Sequence, residues 1–131
     1  MNARRPLKVL VVESEAGMSM LIQDLLHDLR HDVIGPVARL DQAMRFALQS
    51  ECDIAILEIG DSSPNVNSLA DVLRFREIPL VFTVNDDANP VPQRFQDCLV
   101  LLKPFSQEAF LEAVASTQRA GATVECLVSN L

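Results

Sequence analysis

The chain is expected to be an α/β domain: a five-stranded parallel sheet with helices on both faces. Two observations lead there. Short apolar, β-branched runs at 7–12, 32–37, 54–58, 78–84 and 99–102 alternate with stretches whose apolar residues recur at helical spacing. Right-handed crossovers turn that alternation into a parallel sheet covered on both sides. A third observation concerns the ends of the strands. The runs at 7–12, 54–58 and 99–102 stop at Glu13, Glu58 and Lys103. A buried strand that ends in a charge presents it at the carboxyl edge, where open α/β sheets bind ligands.

The first strand, 7–12, runs Leu-Lys-Val-Leu-Val-Val into Glu13-Ser14-Glu15. Met18, Leu21, Ile22, Leu25, Leu26 and Leu29 then predict an amphipathic helix over 16–30. Gly35-Pro36 interrupts the second strand and suits a sheet edge. Leu40, Ala43, Met44, Ala47 and Leu48 mark the second helix, with Asp41 complementing its positive start. Leu69, Val72 and Leu73 mark a weaker third helix. The fourth strand is entered through Pro79, and 85–92 is a loop rich in Pro and Asn, so a helix around 93–96 must be brief. Ser106 can cap a closing helix that turns Phe110, Leu111, Val114 and Ala115 inward. The expected division is a domain over 7–119 and a tail over 120–131, the tail apolar enough to pack as an added strand or against a partner.

At 131 residues, 49% hydrophobic and 22% charged, this is one globular domain with a substantial core. The net charge of −7 argues against non-specific nucleic-acid or anionic-membrane surfaces, and Arg4, Arg5 and Lys8 are the only tight basic cluster. Three widely spaced cysteines without a Cys-x-x-Cys pattern read as free thiols in a reducing compartment. No run is long enough to span a membrane and no cleavage site follows the first strand, so a cytoplasmic location is expected.

With strand order 2-1-3-4-5, the first and third strands flank the crevice at the topological switch point. Glu13, Glu58 and Lys103 then converge, and the same edge receives Ser14, Glu15, Val84, Asp61, Asp86 and Asp87. Two carboxylates and an ammonium can hold a divalent cation or a phosphoryl group, or can form an internal ion pair in which Lys103 bridges the acids. His27 and His31 stand four apart on the first helix, a chelating spacing, but no third ligand is evident and two solvated histidines are expected. Cys52, Cys98, Phe105 and Phe110 are expected to pack, and Asp86 and Asp87 to be solvated.

Val11-Val12-Glu13-Ser14-Glu15, Ile56-Leu57-Glu58-Ile59, Ile78-Pro79-Leu80-Val81-Phe82 and Leu102-Lys103-Pro104-Phe105 resemble, in order, the receiver domain of bacterial response regulators. The resemblance implies a flavodoxin-like fold and a place in two-component, or phosphorelay, signalling. The region of Phe95 is similar to a receiver subgroup with a reduced fourth helix. In the family, an Asp ending the third strand takes a phosphoryl group from a histidine kinase; here that position is Glu58. Two acids after the first strand hold Mg²⁺; here they are Glu13 and Ser14. The switch hydroxyl that ends the fourth strand corresponds to Val84, with Thr83 one place early and on the opposite face. Lys103 matches the family lysine, and Val100 replaces an aromatic often found three residues before it.

These departures have physical consequences. Neutral Ser14 weakens Mg²⁺ binding, leaving Glu13 and Glu58 as weak metal candidates, so no cofactor is expected. Glu58 carries its carboxylate about one bond length beyond the attack position, which can cost on the order of 10²-fold in rate. Val84 offers no hydroxyl. Glu58 can still reach Lys103, which imitates phosphorylation without the reaction. The expectation is a stand-alone, non-enzymatic receiver-like module that is not phosphorylated. It would bind a protein, a histidine kinase or another signalling protein, or a second copy of itself, through the face of the fourth helix, fifth strand and fifth helix. The alternatives are a receiver that still accepts a phosphoryl group, on Glu58 or with help from Asp86 or Asp87, and a small-molecule binding module on the same fold.

Overall fold

A computed structural model describes residues 5–59, 66–85 and 91–119. Five parallel strands lie in the order β2-β1-β3-β4-β5: β1 (Lys8–Val12), β2 (Asp32–Val37), β3 (Ile54–Ile59), β4 (Leu80–Val84) and β5 (Leu99–Leu102). Helices α1 (Ala16–Asp28), α2 (Leu40–Gln49), α3 (Val66–Phe75) and α4 (Gln107–Ser116) connect or follow them, and a 3₁₀ turn (Gln93–Phe95) stands between β4 and β5. That turn is the brief helix expected before the fifth strand. The third helix is as long as the second, and Val66, Leu69, Ala70 and Leu73 bury one side of it.

β3 is buried along its whole length, so every residue from Ile54 to Ile59 meets a helix layer. Alternate side chains build two cores. Leu10, Ala55, Leu57, Phe82 and Val84 face α2 and α3. Val9, Val11, Ile54, Ile56, Val81, Leu99 and Leu101 face α1 and α4, where Ile22, Leu26, Phe110 and Val114 close the layer. This division follows from right-handed crossovers: moving left from β1 to β2 places α1 on one face, and moving right thereafter places α2 and α3 on the other.

β2 is an edge strand, as Gly35-Pro36 predicts. Gly35 has φ +104, and a Cβ there would stand 2.8 Å from the Val37 nitrogen and 3.0 Å from the Val11 carbonyl. Only glycine fits this irregularity, where the β1–β2 register shifts between Leu10 and Val12.

Helix ends account for one correction. α1 stops at Asp28, and Arg30 adopts a left-handed conformation (φ 66) with no glycine to announce it. The His31 amide then bonds back to the Leu26 carbonyl and the Arg30 amide to that of His27, closing the helix. His31 is therefore beyond the helix, not one turn above His27. It is half-buried, and its Nδ1 accepts the Leu7 amide at 3.0 Å, so neither the chelating pair nor the fully solvated histidine describes it. Glu77 (φ 62) closes α3 in the same way. Cys52 and Cys98 are buried thiols, and Phe105 stacks on the buried Phe110 at 5.8 Å. No described helix is long and apolar enough to cross a membrane.

Candidate functional site

Register sets up the site. Val11 pairs with Ile56 and Val12 with Leu57, so the next residue of the Val9–Val11 row, Glu13, stands level with Glu58. Glu58 pairs with Thr83, and Thr83 with Leu101. All four lie on the α1/α4 side of the sheet, and Lys103 follows Leu101 on that side. Backbone bonds fix the two flanking positions: the Glu13 amide donates to the Val37 carbonyl at 3.0 Å and the Lys103 amide to the Val84 carbonyl at 2.7 Å.

Glu13, Ser14, Glu58 and Lys103 are brought together. Glu13, Glu58 and Lys103 are 3%, 7% and 9% exposed, so their charges interact with little solvent between them. Lys103 Nζ lies 3.0 Å from Glu13 Oε2 and 3.3 Å from Glu58 Oε2. Ser14 closes the other oxygen: its amide and its hydroxyl donate to Glu58 Oε1 at 2.9 and 2.8 Å. The Glu15 amide donates to Glu13 Oε2 at 3.2 Å, while Glu15 Oε1 accepts the Met18 amide and caps α1. Both Glu58 oxygens are thus engaged. Glu13 keeps one buried oxygen, Oε1, without a partner among the described residues.

The two acids titrate in opposite directions. Burial is the largest influence on both and pushes both upward. At Glu13 the Lys103 bond does not overcome it, and repulsion from Glu58 adds to it, so the Glu13 pKa is raised. At Glu58 the Ser14 amide, the Ser14 hydroxyl and Lys103 together outweigh burial, and its pKa is lowered. On acidification Glu13 is therefore the acid that takes up a proton first.

Val84 ends β4, but its side chain belongs to the α2/α3 core and only its carbonyl reaches Lys103. Thr83, on the opposite face from Val84, shares the Glu58 face. Its hydroxyl is buried and without a partner among the described residues. The β3–β4 register decides this against the sequence expectation, because a residue paired with Glu58 must share its side of the sheet. The Ser14 donors had no comparable sequence signal; at that position serine reads first as a missing acid. Val100 is half-buried against the α2/α3 core. Asp61, Asp86, Asp87 and the tail over 120–131 lie outside the described residues. Among the described residues, no group of three His, Cys, Asp or Glu side chains is arranged to hold a metal ion.

A second polar cluster secures the 3₁₀ turn. Arg94 pairs with Asp71 through two bonds of 3.1 and 2.8 Å, and Arg74 pairs with Asp97 through two of 3.1 and 3.0 Å. Both guanidinium groups lie over the Phe95 ring, at 4.8 and 5.4 Å from its centre. Phe95 in turn packs on Phe82 of β4 at 5.6 Å.

No family model matches the chain. Among curated proteins, the phyllosphere-induced regulator PhyR of Methylorubrum extorquens is 27% identical over 113 residues, covering 83% of this chain and 42% of that protein. The chain thus spans less than half the length of that curated relative. The solution structure of SdrG from Sphingomonas melonis Fr1 is 30% identical with a TM-score of 0.69, covering 84% of this chain and 94% of that one. A response regulator receiver protein from Sinorhizobium medicae WSM419 shares the fold, with a TM-score of 0.70 at 23% identity over 84% of this chain and 92% of that one. The chain belongs to the response regulator receiver domain family.

Proposed function

We propose that this receiver domain works in two-component, or phosphorelay, signalling as a protein-binding module whose acid pocket is held closed, and that it neither accepts a phosphoryl group nor catalyses a reaction. The observation that carries this reading is the position of Lys103 between Glu13 and Glu58, with both Ser14 donors on the remaining Glu58 oxygen. A phosphoryl acceptor needs a free carboxylate oxygen in line with the donor. Here both Glu58 oxygens are engaged, and the Glu58 carboxylate gives Lys103 the anionic partner that a new phosphate would otherwise provide.

The donor set does not fit Mg²⁺, the ion the family implies. Mg²⁺ asks for near-octahedral hard oxygen. Ser14 is spent on Glu58 and Glu13 Oε2 on Lys103 and Glu15; among the described side chains, the buried Glu13 Oε1 and the neutral Thr83 hydroxyl remain without a partner. An ammonium already stands against both acids. No step of the proposed function passes through a metal.

The partner is a histidine kinase or another signalling protein, or a second copy of the chain. The face for it is the 3₁₀ turn, β5 and α4, where Leu102 is 54% exposed. Incubation of the full chain with acetyl phosphate and Mg²⁺ tests the reading. Mass spectrometry is expected to show no added phosphate, and the Ser14 and Lys103 amide signals are expected to stay in place on Mg²⁺ addition. A labile acyl phosphate on Glu58 would overturn it.

A further inference from the structure

At the end of the sheet opposite Glu58, an open groove of about 480 Å³ runs between the start of β1 and the last turn of α4. Leu7, Val114 and Ala115 give it an apolar wall, and Arg5, His31 and Arg119 rim it. Its volume lies within the range of about 300–1,000 Å³ typical of occupied pockets. The side chains of Arg5 and Arg119 are 72% and 52% exposed; Arg5 lies 3.6 Å from Asp53 and Arg119 pairs with Glu112 at 3.0 Å, and each guanidinium has donors beyond that pair for a further carboxylate.

Residues 120–131 follow directly on Arg119 of that rim. They read Ala-Gly-Ala-Thr-Val-Glu-Cys-Leu-Val-Ser-Asn-Leu, with Val124, Leu127 and Val128 apolar and Glu125 the single charge. Such a segment gains by covering its apolar side chains.

The sheet edges are poor places for it. α4 packs on the same face as α1. A parallel strand placed outside β5 after α4 would need a left-handed crossover, which about 2% of such connections show. An antiparallel strand there must start at the carboxyl end of β5. That strand is four residues long, about 13 Å at roughly 3.3 Å per residue. Residues 120–122 extend at most about 11 Å and must first clear α4. The other edge, β2, offers Pro36, which has no N–H, within an irregular register.

We propose that residues 120–131 fold back into the groove of their own chain, with Val124 and Leu127 on the Leu7–Val114–Ala115 wall and Glu125 against Arg5 and Arg119. Gly121 supplies the reversal just past the helix. The groove and the acid pocket lie at opposite ends of the sheet, so the docked segment leaves β5 and the 3₁₀ turn uncovered. The inference does not depend on whether Glu58 is phosphorylated.

A nitroxide on Cys126 of the full chain tests it, since Cys52 and Cys98 are buried. The amide signals of Leu7, His31 and Ala115 are expected to broaden, while Val100 and Leu102 keep their intensity. Glu125→Arg is expected to abolish the broadening, and adding Arg5→Glu to restore it. A second label, Ser129→Cys in a Cys126→Ser chain, guards against a nitroxide that blocks docking, and is expected to broaden the same groove. Broadening at Val100 and Leu102 instead, or at neither set with either label, overturns the proposal. So does broadening of an isotope-labelled chain by a separate spin-labelled one, which would mean docking between molecules. Persistence of the effect in Glu125→Arg would also overturn it.

Discussion

The acid pocket and the clamp on the 3₁₀ turn are assembled from similar parts and work by different physics. Each gathers two carboxylates from distant segments around cationic side chains. In the pocket, one lysine serves two acids and all three are buried. In the clamp, each acid has its own arginine, both pairs are bidentate, and water reaches them: Arg94 and Asp71 are 55% and 51% exposed, Arg74 and Asp97 36% and 48%. Exposed pairs are screened and contribute little. The clamp therefore depends on Phe95 beneath the guanidinium groups, which is 1% exposed and packs on Phe82. Burial decides which part of a charged cluster matters: the ions in the pocket, the ring in the clamp.

The largest effect is expected from Lys103→Met. Removing the cation leaves Glu13 and Glu58 buried against each other, and breaking a buried pair in this way costs about 3–5 kcal/mol. Chemical denaturation measures it. A loss of under about 1 kcal/mol would mean that water already screens the pocket as it does the clamp. Phe95→Ala is expected to cost a similar amount, about 3–5 kcal/mol, through the cavity left beside Phe82. A small loss there would shift the weight of the clamp onto its ion pairs.

A pH titration separates the two pocket acids. Glu13 has its folded pKa raised, so its stabilising contribution is complete below its unfolded value and is lost as pH rises through the folded one. Glu58 has its folded pKa lowered from an ordinary value of 4.5, so its contribution is present above 4.5 and is lost as pH falls through the folded value. Stability on acidification is thus expected to gain from Glu13 above 4.5 and to lose from Glu58 below it. Carboxyl-carbon NMR should show Glu13 titrating first on acidification; the reverse order would refute the stabilisation of the Glu58 carboxylate by Ser14 and Lys103. The smallest effect is expected from Asp97→Asn in the clamp, about 0.2–1 kcal/mol and reduced by salt. A salt-independent loss of several times that size would place the Arg74–Asp97 pair in the pocket's regime.

Most of the layered fold is legible in the chain because it rests on local and periodic signals. Period-two and helical spacing separate strands from helices, Gly35-Pro36 marks the edge strand, and Ser106 caps α4 with its side chain on the Ala109 amide. The end of α1 was not legible. Helices are read to stop at glycine, and Arg30 takes the left-handed position without one, which moves His31 off the helix.

By itself, the sequence determined the order of strands and helices and put Glu13, Glu58 and Lys103 at one edge, since an apolar run that ends in charge places that charge where the strand leaves the apolar core. Tertiary structure alone decided that Ser14 donates twice to Glu58, that the buried acids move apart in pKa, and that Thr83 shares their face. Those outcomes depend on register across strands far apart in the chain and on how much water the packed helices exclude. Neither quantity is carried by any residue's immediate neighbours.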